Sequence, residues 1–436
     1  MKNMKRYTLL IIIFISALQC RVAVAEQQAD SLYAYMMTAV ENSPRTKAAL
    51  QSYKAALEAV CPASTIGDPE LSVNWYPSPM ELVNSRQVAT FGLMQMFPWP
   101  GSMKASRREK EWQVEKAYEM YRMEGIDLAY QVEEKWYQIL ATQEKITALG
   151  QNIAFLKQIQ ETALYQYKSP SSGRMKANMS DQLRLQTEEL SLEEQLETAQ
   201  TELALQKQQL NLLMHREADS DIVTPDSIVL REMPIVSMDD IENASPELAA
   251  IRNEQNALEQ TERKMRNMGR PMLGVGAQYM LNEETKMPRM SDMNGKDMWM
   301  AMFKVSLPIY RRKTNASIRE AQLMQNAAAE KYASQRDALE SQWLGIVQRA
   351  EESKRKIRLL SQQLDLVDRT LELMRAEYVA ETTLLSDLLE TDRQRVDLAL
   401  KLAEAKAKYN TTVAQMEKIA ALNGSSLHTE EECRNK

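Results

Sequence analysis

Residues 271–281 read PMLGVGAQYML, and residues 298–307 read MWMAMFKVSL. In the first stretch Leu273, Val275, Ala277, Tyr279 and Leu281 alternate with Met272, Gly274, Gly276, Gln278 and Met280. In the second, Trp299, Ala301, Phe303, Val305 and Leu307 alternate with Met298, Met300, Met302, Lys304 and Ser306. A period of two over about ten residues, with one face apolar, has the length and pattern of a strand that crosses a bilayer. Weaker counterparts occupy residues 70–76 and 88–97, joined by a loop containing Pro77 and Pro79. Trp75, Tyr76, Trp99, Tyr279, Trp299 and Tyr310 fall at or near strand ends, where an aromatic girdle belongs.

Outward from each strand pair the chain becomes helical. Residues 102–167 hold no proline and only Gly125 and Gly150, and are dominated by strong helix formers. Residues 315–378 repeat this, and there Ile357, Leu360, Leu364, Val367, Leu371, Met374 and Tyr378 step 3-4-3-4 in a coiled-coil seam. Trp136, Ile139, Ile146, Leu149, Ile153 and Leu156 form a comparable stripe in the first half. A helix of this size is about 100 Å long and requires a companion of equal length. Residues 31–62 with 177–214, and 239–268 with 386–422, total 70 and 67 residues against 66 and 64 in the long helices. That match predicts end-to-end stacking of two short helices on each long one.

The two halves are one duplicated unit. Asn42-Ser43-Pro44 recurs as Ala244-Ser245-Pro246, Phe97-Pro98 as Leu307-Pro308, and Ser180-Asp181 before a helix as Ser386-Asp387, at spacings of 202, 210 and 206 residues. The repeats are read as residues 26–230 and 231–422, with a polar tail at 423–436. Four strands cannot close a barrel, since about eight is the minimum, so strands that span a membrane require oligomerisation, and three copies supply twelve. The expected fold is mainly α with a small β part: a trimeric twelve-stranded barrel continued by a long α-helical coiled-coil tunnel.

Residues 1–25 carry Lys2, Lys5 and Arg6, an apolar run from Leu9 to Leu18, and Ala23-Val24-Ala25 before Glu26, the pattern of a secretory signal peptide. Lipidation at Cys20 is the alternative, although Ala17-Leu18-Gln19 is a poor approach to it. Loss of Lys2, Lys5, Arg6 and Arg21 takes the formal charge from −6 to −10, which argues against nucleic acid as a partner. Cys61 and Cys433 are too few for a disulfide framework. No later window is apolar enough for a transmembrane helix, which leaves a soluble periplasmic protein, a secreted one, or a β-barrel. His215 and His428, far apart, assemble no metal or catalytic site, no cofactor is implied, and no Gly-rich nucleotide loop is present, so enzymatic activity is not expected.

With its early Asn-Ser-Pro, the Gln95-Met96-Phe97-Pro98-Trp99-Pro100-Gly101 segment leading into a helix, the helix end Leu210-Asn211-Leu212-Leu213, and the echo at Leu307-Pro308-Ile309-Tyr310, the chain resembles the TolC-like outer-membrane efflux family. The Phe-Pro-Trp-Pro-Gly segment is most similar to its heavy-metal, CusC-like branch. The resemblance implies a homotrimer in outer-membrane lipid, with most of the chain in the periplasm, completed by a periplasmic adaptor protein and an inner-membrane RND-type transporter that supplies the energy. It also implies a gate at the helix tips: Tyr378, Asp387 and Glu390 match the spacing of a family tyrosine and two acidic residues at the narrowest opening, and Asp181 matches the carboxylate paired with that tyrosine in the closed state. Glu381 replaces a turn glycine, Thr383 a clasp arginine of some members, and the first tip, residues 167–180, is about five residues longer than the second.

Asp387 and Glu390 stand three apart on one helix face, so a trimer would ring its aperture with carboxylates that favour cations. With Trp299, Phe303 and Leu307 facing lipid, Met298, Met300 and Met302 would face the lumen with Met272 and Met280, and their thioethers suit Cu(I) or Ag(I). Methionine is also a general filler of apolar gaps. The expected function is passive export of heavy-metal cations such as copper or silver, or of drugs. The alternatives are a protein-secretion duct and a pore-less periplasmic coiled-coil scaffold.

Overall fold

The structure, a computed structural model, describes residues 32–82, 85–168, 179–286, 294–380 and 384–422. The segment read as a signal peptide, with Cys20, the turn with Glu381 and Thr383, most of residues 167–180, and the tail with His428 and Cys433 lie outside those residues. The described elements are helices α1 (residues 32–42), α2 (Pro44–Glu58) and α3 (Val60–Ser64), strands β1 (Glu70–Leu82) and β2 (Ser85–Phe97), and helices α4 (Ser102–Lys168), α5 (Met179–Leu213), α6 (Met238–Ala244) and α7 (Pro246–Met268). Strands β3 (Met272–Glu283) and β4 (Met298–Ser306) and helices α8 (Arg311–Val379) and α9 (Leu385–Ile419) follow. The protein is thus mostly helical with one small antiparallel sheet.

The repeated Ser-Pro marks a break rather than a continuous helix. The sequence led us to expect single helices over residues 31–62 and 239–268, but Ser43 and Ser245 interrupt both, because a residue before proline is pushed out of the α region. Ser245 has ψ 115°, and Pro44 and Pro246 then open the next helices, a position where the missing N–H costs nothing. Both serines are buried. Ser180-Asp181 and Ser386-Asp387 lie within the first turns of α5 and α9 rather than before them.

The chain divides into two compact units, each drawing on both halves of the sequence. The smaller comprises residues 49–121 and 246–336, and holds the whole sheet. Its strands run in the order β1-β2-β3-β4, all antiparallel, so the two expected strand pairs join through β2 and β3. The expected loop at Pro77 and Pro79 is instead part of β1. The ladder shifts register between Trp75 and Met80, and β1 is an edge strand, the two settings in which proline is tolerated. Beside the sheet, α4 and α7 are tied by Lys264 to Glu109 at 3.0 Å and Lys116 to Glu254 at 3.1 Å.

The larger unit comprises residues up to 48, 122–245 and from 337 onward. Its core holds both stripes read from the sequence. Trp136, Ile139, Leu149 and Leu156 are essentially inaccessible, and Ile357, Leu360, Leu371 and Tyr378 are buried, with Leu364, Val367 and Met374 packed against them. Residues 214–237 link α5 to α6 without helix or strand. His215, at φ 55°, turns the chain out of α5, while Asn211 donates to the carbonyls of Ala218 and Ser220.

Candidate functional site

Strand register sorts the side chains of the sheet onto two faces. Leu273 pairs with Val305, Val275 with Phe303 and Tyr279 with Trp299, while Phe91 and Leu93 of β2 face Tyr279 and Ala277. Leu71, Val73 and Trp75 of β1 continue this face opposite Leu93, Phe91 and Ala89. All of these large residues are exposed, Phe303 at 80% and Trp299 at 78%. No second layer covers them within the unit that holds them. From Leu281 to Leu273 this apolar band measures roughly 25 Å, the height of a bilayer-facing girdle.

The opposite face carries the five methionines named from the sequence. Met280 stands directly across from Met298, Met300 across from Gln278, Met302 across from Gly276 and Met272 across from Ser306. Met94 and Met96 of β2 join them, opposite Gly276 and Gly274. Their sulfurs lie where a side chain on Gly274 would go: a Cβ there would meet Met96 Sδ at 2.6 Å and Met94 Sδ at 3.3 Å. The period-two reading of residues 88–97 could have found them, since they alternate with Leu93, Gln95 and Phe97. Lys304 stands opposite Gly274 on this face, a fixed positive charge among the thioethers.

In the other unit the tip residues fall in two places. Tyr378 is buried against Leu385, Leu388 and Leu389 at the start of α9. Burial, and then the Asp181 carboxylate, push its hydroxyl up to about 12. Asp387 and Glu390 lie outside this core, both exposed on one face of α9. Asp387 accepts from Ser386 Oγ at 3.1 Å, and Arg393 approaches Glu390 at 3.9 Å. The stronger bond of Arg393 is bidentate to Glu188 of α5, at 3.0 and 2.5 Å, and no spacing rule in the sequence pointed to it.

Two buried carboxylates, Asp392 and Glu133, also escaped sequence reading. Asp392 of α9 takes bonds from Arg395 and Asn152, and burial still pushes its carboxyl up to about 6. Arg231, in the link after α5, reaches Glu133 of α4 at 3.1 Å and holds Glu417 of α9 through two bonds of 2.6 and 2.7 Å. Glu133 is pushed up to about 7 by burial, against the pull of Arg231. The same link is fastened to α9 by Asn410, which accepts from Arg231 N and donates to the Val229 carbonyl, and by Tyr409, whose hydroxyl donates to the Arg231 carbonyl. Among the described residues no group of His, Cys, Asp and Glu could hold a metal ion, and no helix is long and apolar enough to cross a membrane.

The mostly helical chain with its one small antiparallel sheet matches the fold of solved outer-membrane channels. Among solved structures the chain is similar to CusC, studied for conformational changes accompanying folding and transmembrane channel formation (TM-score 0.74, 14% identity, 90% of this chain and 92% of that one). It is also similar to the outer membrane protein VceC of Vibrio cholerae (TM-score 0.73, 13% identity, 90% and 96%). A third is the MtrE outer membrane channel of Neisseria gonorrhoeae in its open state (TM-score 0.72, 14% identity, 89% and 88%). No protein-family model matches the sequence, and a comparison with curated proteins gives no match.

Proposed function

We propose that this chain is the outer-membrane channel of a tripartite efflux pump, a passive homotrimeric duct that catalyses nothing. One observation carries the reading: four strands with an exposed apolar face and two open edges, β1 and β4, a sheet that is stable only when copies close it and lipid covers it. Three copies give twelve strands, and two repeats per chain supply them. Further support comes from leucines left exposed on two helices: Leu183, Leu190, Leu205 and Leu212 on α5, and Leu344, Leu359, Leu366 and Leu373 on α8. Their spacings are mostly heptads, so each set is a seam ready for a helix of a neighbouring copy.

The periplasmic helices meet an adaptor protein and, through it, an RND-type transporter that supplies the energy. Asp387, Glu390, Tyr378 and Asp181 form the gate, with Tyr378 and Asp181 holding the tip and the two exposed carboxylates lining the aperture. Seven methionines on one sheet face support copper or silver as cargo over drugs, as passing contacts rather than a closed site, since Lys304 stands among them. The purified protein in detergent is expected to run as a trimer and to give discrete single-channel conductance in planar bilayers. A monomeric protein that stays soluble without detergent would instead be the pore-less scaffold.

A further inference from the structure

Strand pairing places Phe97, Leu273 and Val305 in one row, so α4, α7 and α8 all meet the sheet at the same end. At that end Lys104 and Arg108 on α4, Arg270 after α7, and Arg311, Arg312 and Lys313 on α8 are exposed. None of the six has an ion pair among the described residues, and Arg270 instead lies over the Trp99 ring at 5.6 Å. Of the carboxylates at this end, Glu109 is engaged by Lys264, Glu111 by Arg107 and Glu262 by Arg266, while Asp68 and Glu70 at the start of β1 are exposed. At the opposite end of the sheet the described exposed charges include the carboxylates Glu81, Glu283, Glu284 and Asp297 together with Lys286 and Lys296. In a chain of formal charge −6, cations are therefore gathered at one edge of the apolar band.

Arg311, Arg312 and Lys313 follow directly on an apolar and an aromatic residue that are largely exposed, Ile309 at 78% and Tyr310 at 87%. An aromatic side chain at the rim of an apolar band, followed by long basic side chains that extend toward water, is the arrangement that meets a headgroup layer. Guanidinium groups bind phosphate oxygens two at a time, and free cations attract an anionic lipid surface. We propose that this end of the sheet is a collar that binds the phosphate headgroups of anionic phospholipids, in preference to zwitterionic lipid. A basic surface for an acidic protein would not need to adjoin the apolar band, which is why lipid is the occupant assigned. The proposal rests on the reading of the sheet as part of a membrane barrel.

Native mass spectrometry of the detergent-purified trimer, titrated with phosphatidylglycerol or phosphatidylcholine, tests it. The expected result is at least tenfold more phosphatidylglycerol retained, falling to parity when Lys104, Arg108, Arg311, Arg312 and Lys313 are all changed to Gln. Arg311→Lys with Arg312→Lys is expected to keep the preference for anionic lipid, and Lys286→Gln with Lys296→Gln, at the other end of the sheet, to leave it unchanged. A trimer that conducts but shows no preference, or a five-site variant that keeps it, overturns the collar and leaves the channel reading intact. Competition by millimolar inorganic phosphate to the same parity would make it a bare phosphate site and equally overturn the lipid assignment. If no trimer or conductance is found, it is the channel reading that fails.

Discussion

Arg231 stands between two carboxylates on different helices, Glu133 of α4 and Glu417 of α9, and is one of several groups that fix an otherwise irregular link to the helical core. Arg231→Ala leaves Glu133, whose side chain is 3% exposed, facing Glu417 without a counter-ion, and is expected to cost about 3–5 kcal/mol, read as a fall in the melting temperature of the detergent-solubilised protein. Glu133 also carries a pH signature. A carboxyl whose folded pKa of about 7 lies above its unfolded value binds more protons when folded, so its contribution to stability is present at low pH and lost as pH rises toward 7. Wild-type protein should therefore lose more thermal stability between mildly acidic and mildly alkaline buffer than Glu133→Gln does; equal slopes would contradict the shift. At the tip, Asp387→Asn with Glu390→Gln is expected to weaken block of the channel by multivalent cations by at least tenfold. Unchanged block would remove these two residues from the gate. Asp387 and Glu390 were legible as one helix face from a spacing of three; Arg231 and Glu188 were not, because their partners lie 98 to 205 positions away, nor was the contact of Asp392 with Asn152 of α4, and only packing brings these groups together.

At the scale of elements the sheet depends on glycine for close packing between strands. A Cβ on Gly276 would meet the Leu93 carbonyl, a backbone atom, at 2.5 Å, whereas one on Gly274 would meet the end of the flexible Met96 side chain at 2.6 Å. Gly276→Ala is therefore expected to lower the yield of heat-resistant trimer, at a cost on the order of 1–3 kcal/mol, and Gly274→Ala to be much milder. Comparing the two on unheated and heated gels checks this, and similar losses would show that strand separation does not control the effect. The methionine face is tested by Met298→Leu, Met300→Leu and Met302→Leu together, a change that keeps volume and removes sulfur. The expected outcome is reduced copper and silver tolerance of cells that depend on this protein, with the trimer intact; full tolerance would make the face a packing surface. Alternation made β3 and β4 readable in sequence. β1 was under-read, because Pro77 and Pro79 signal a loop until an edge position and a register shift are known to accommodate them.

For the whole molecule, burial in lipid is the largest commitment of the channel reading. Phe303 lies in the apolar face at 80% exposure, so Phe303→Arg is expected to cost about 2–4 kcal/mol of membrane stability if that residue sits near the bilayer midplane. The measurement is the denaturant midpoint of protein reconstituted in vesicles, with Lys304→Arg, on the opposite face, as the comparison. Equal effects at the two positions would mean that neither face meets lipid. By itself the sequence determined the long helices and their buried stripes, and the alternating strands β3 and β4. Each of these follows from local periodicity, or from motif order, that a single chain carries within a few turns. Only the tertiary structure decided that the strand pairs join through β2 and β3, that Arg231 bridges two helices, and that unpaired cations collect at one end of the sheet. Those facts depend on which distant segments pack or pair, and neither period nor spacing encodes that choice.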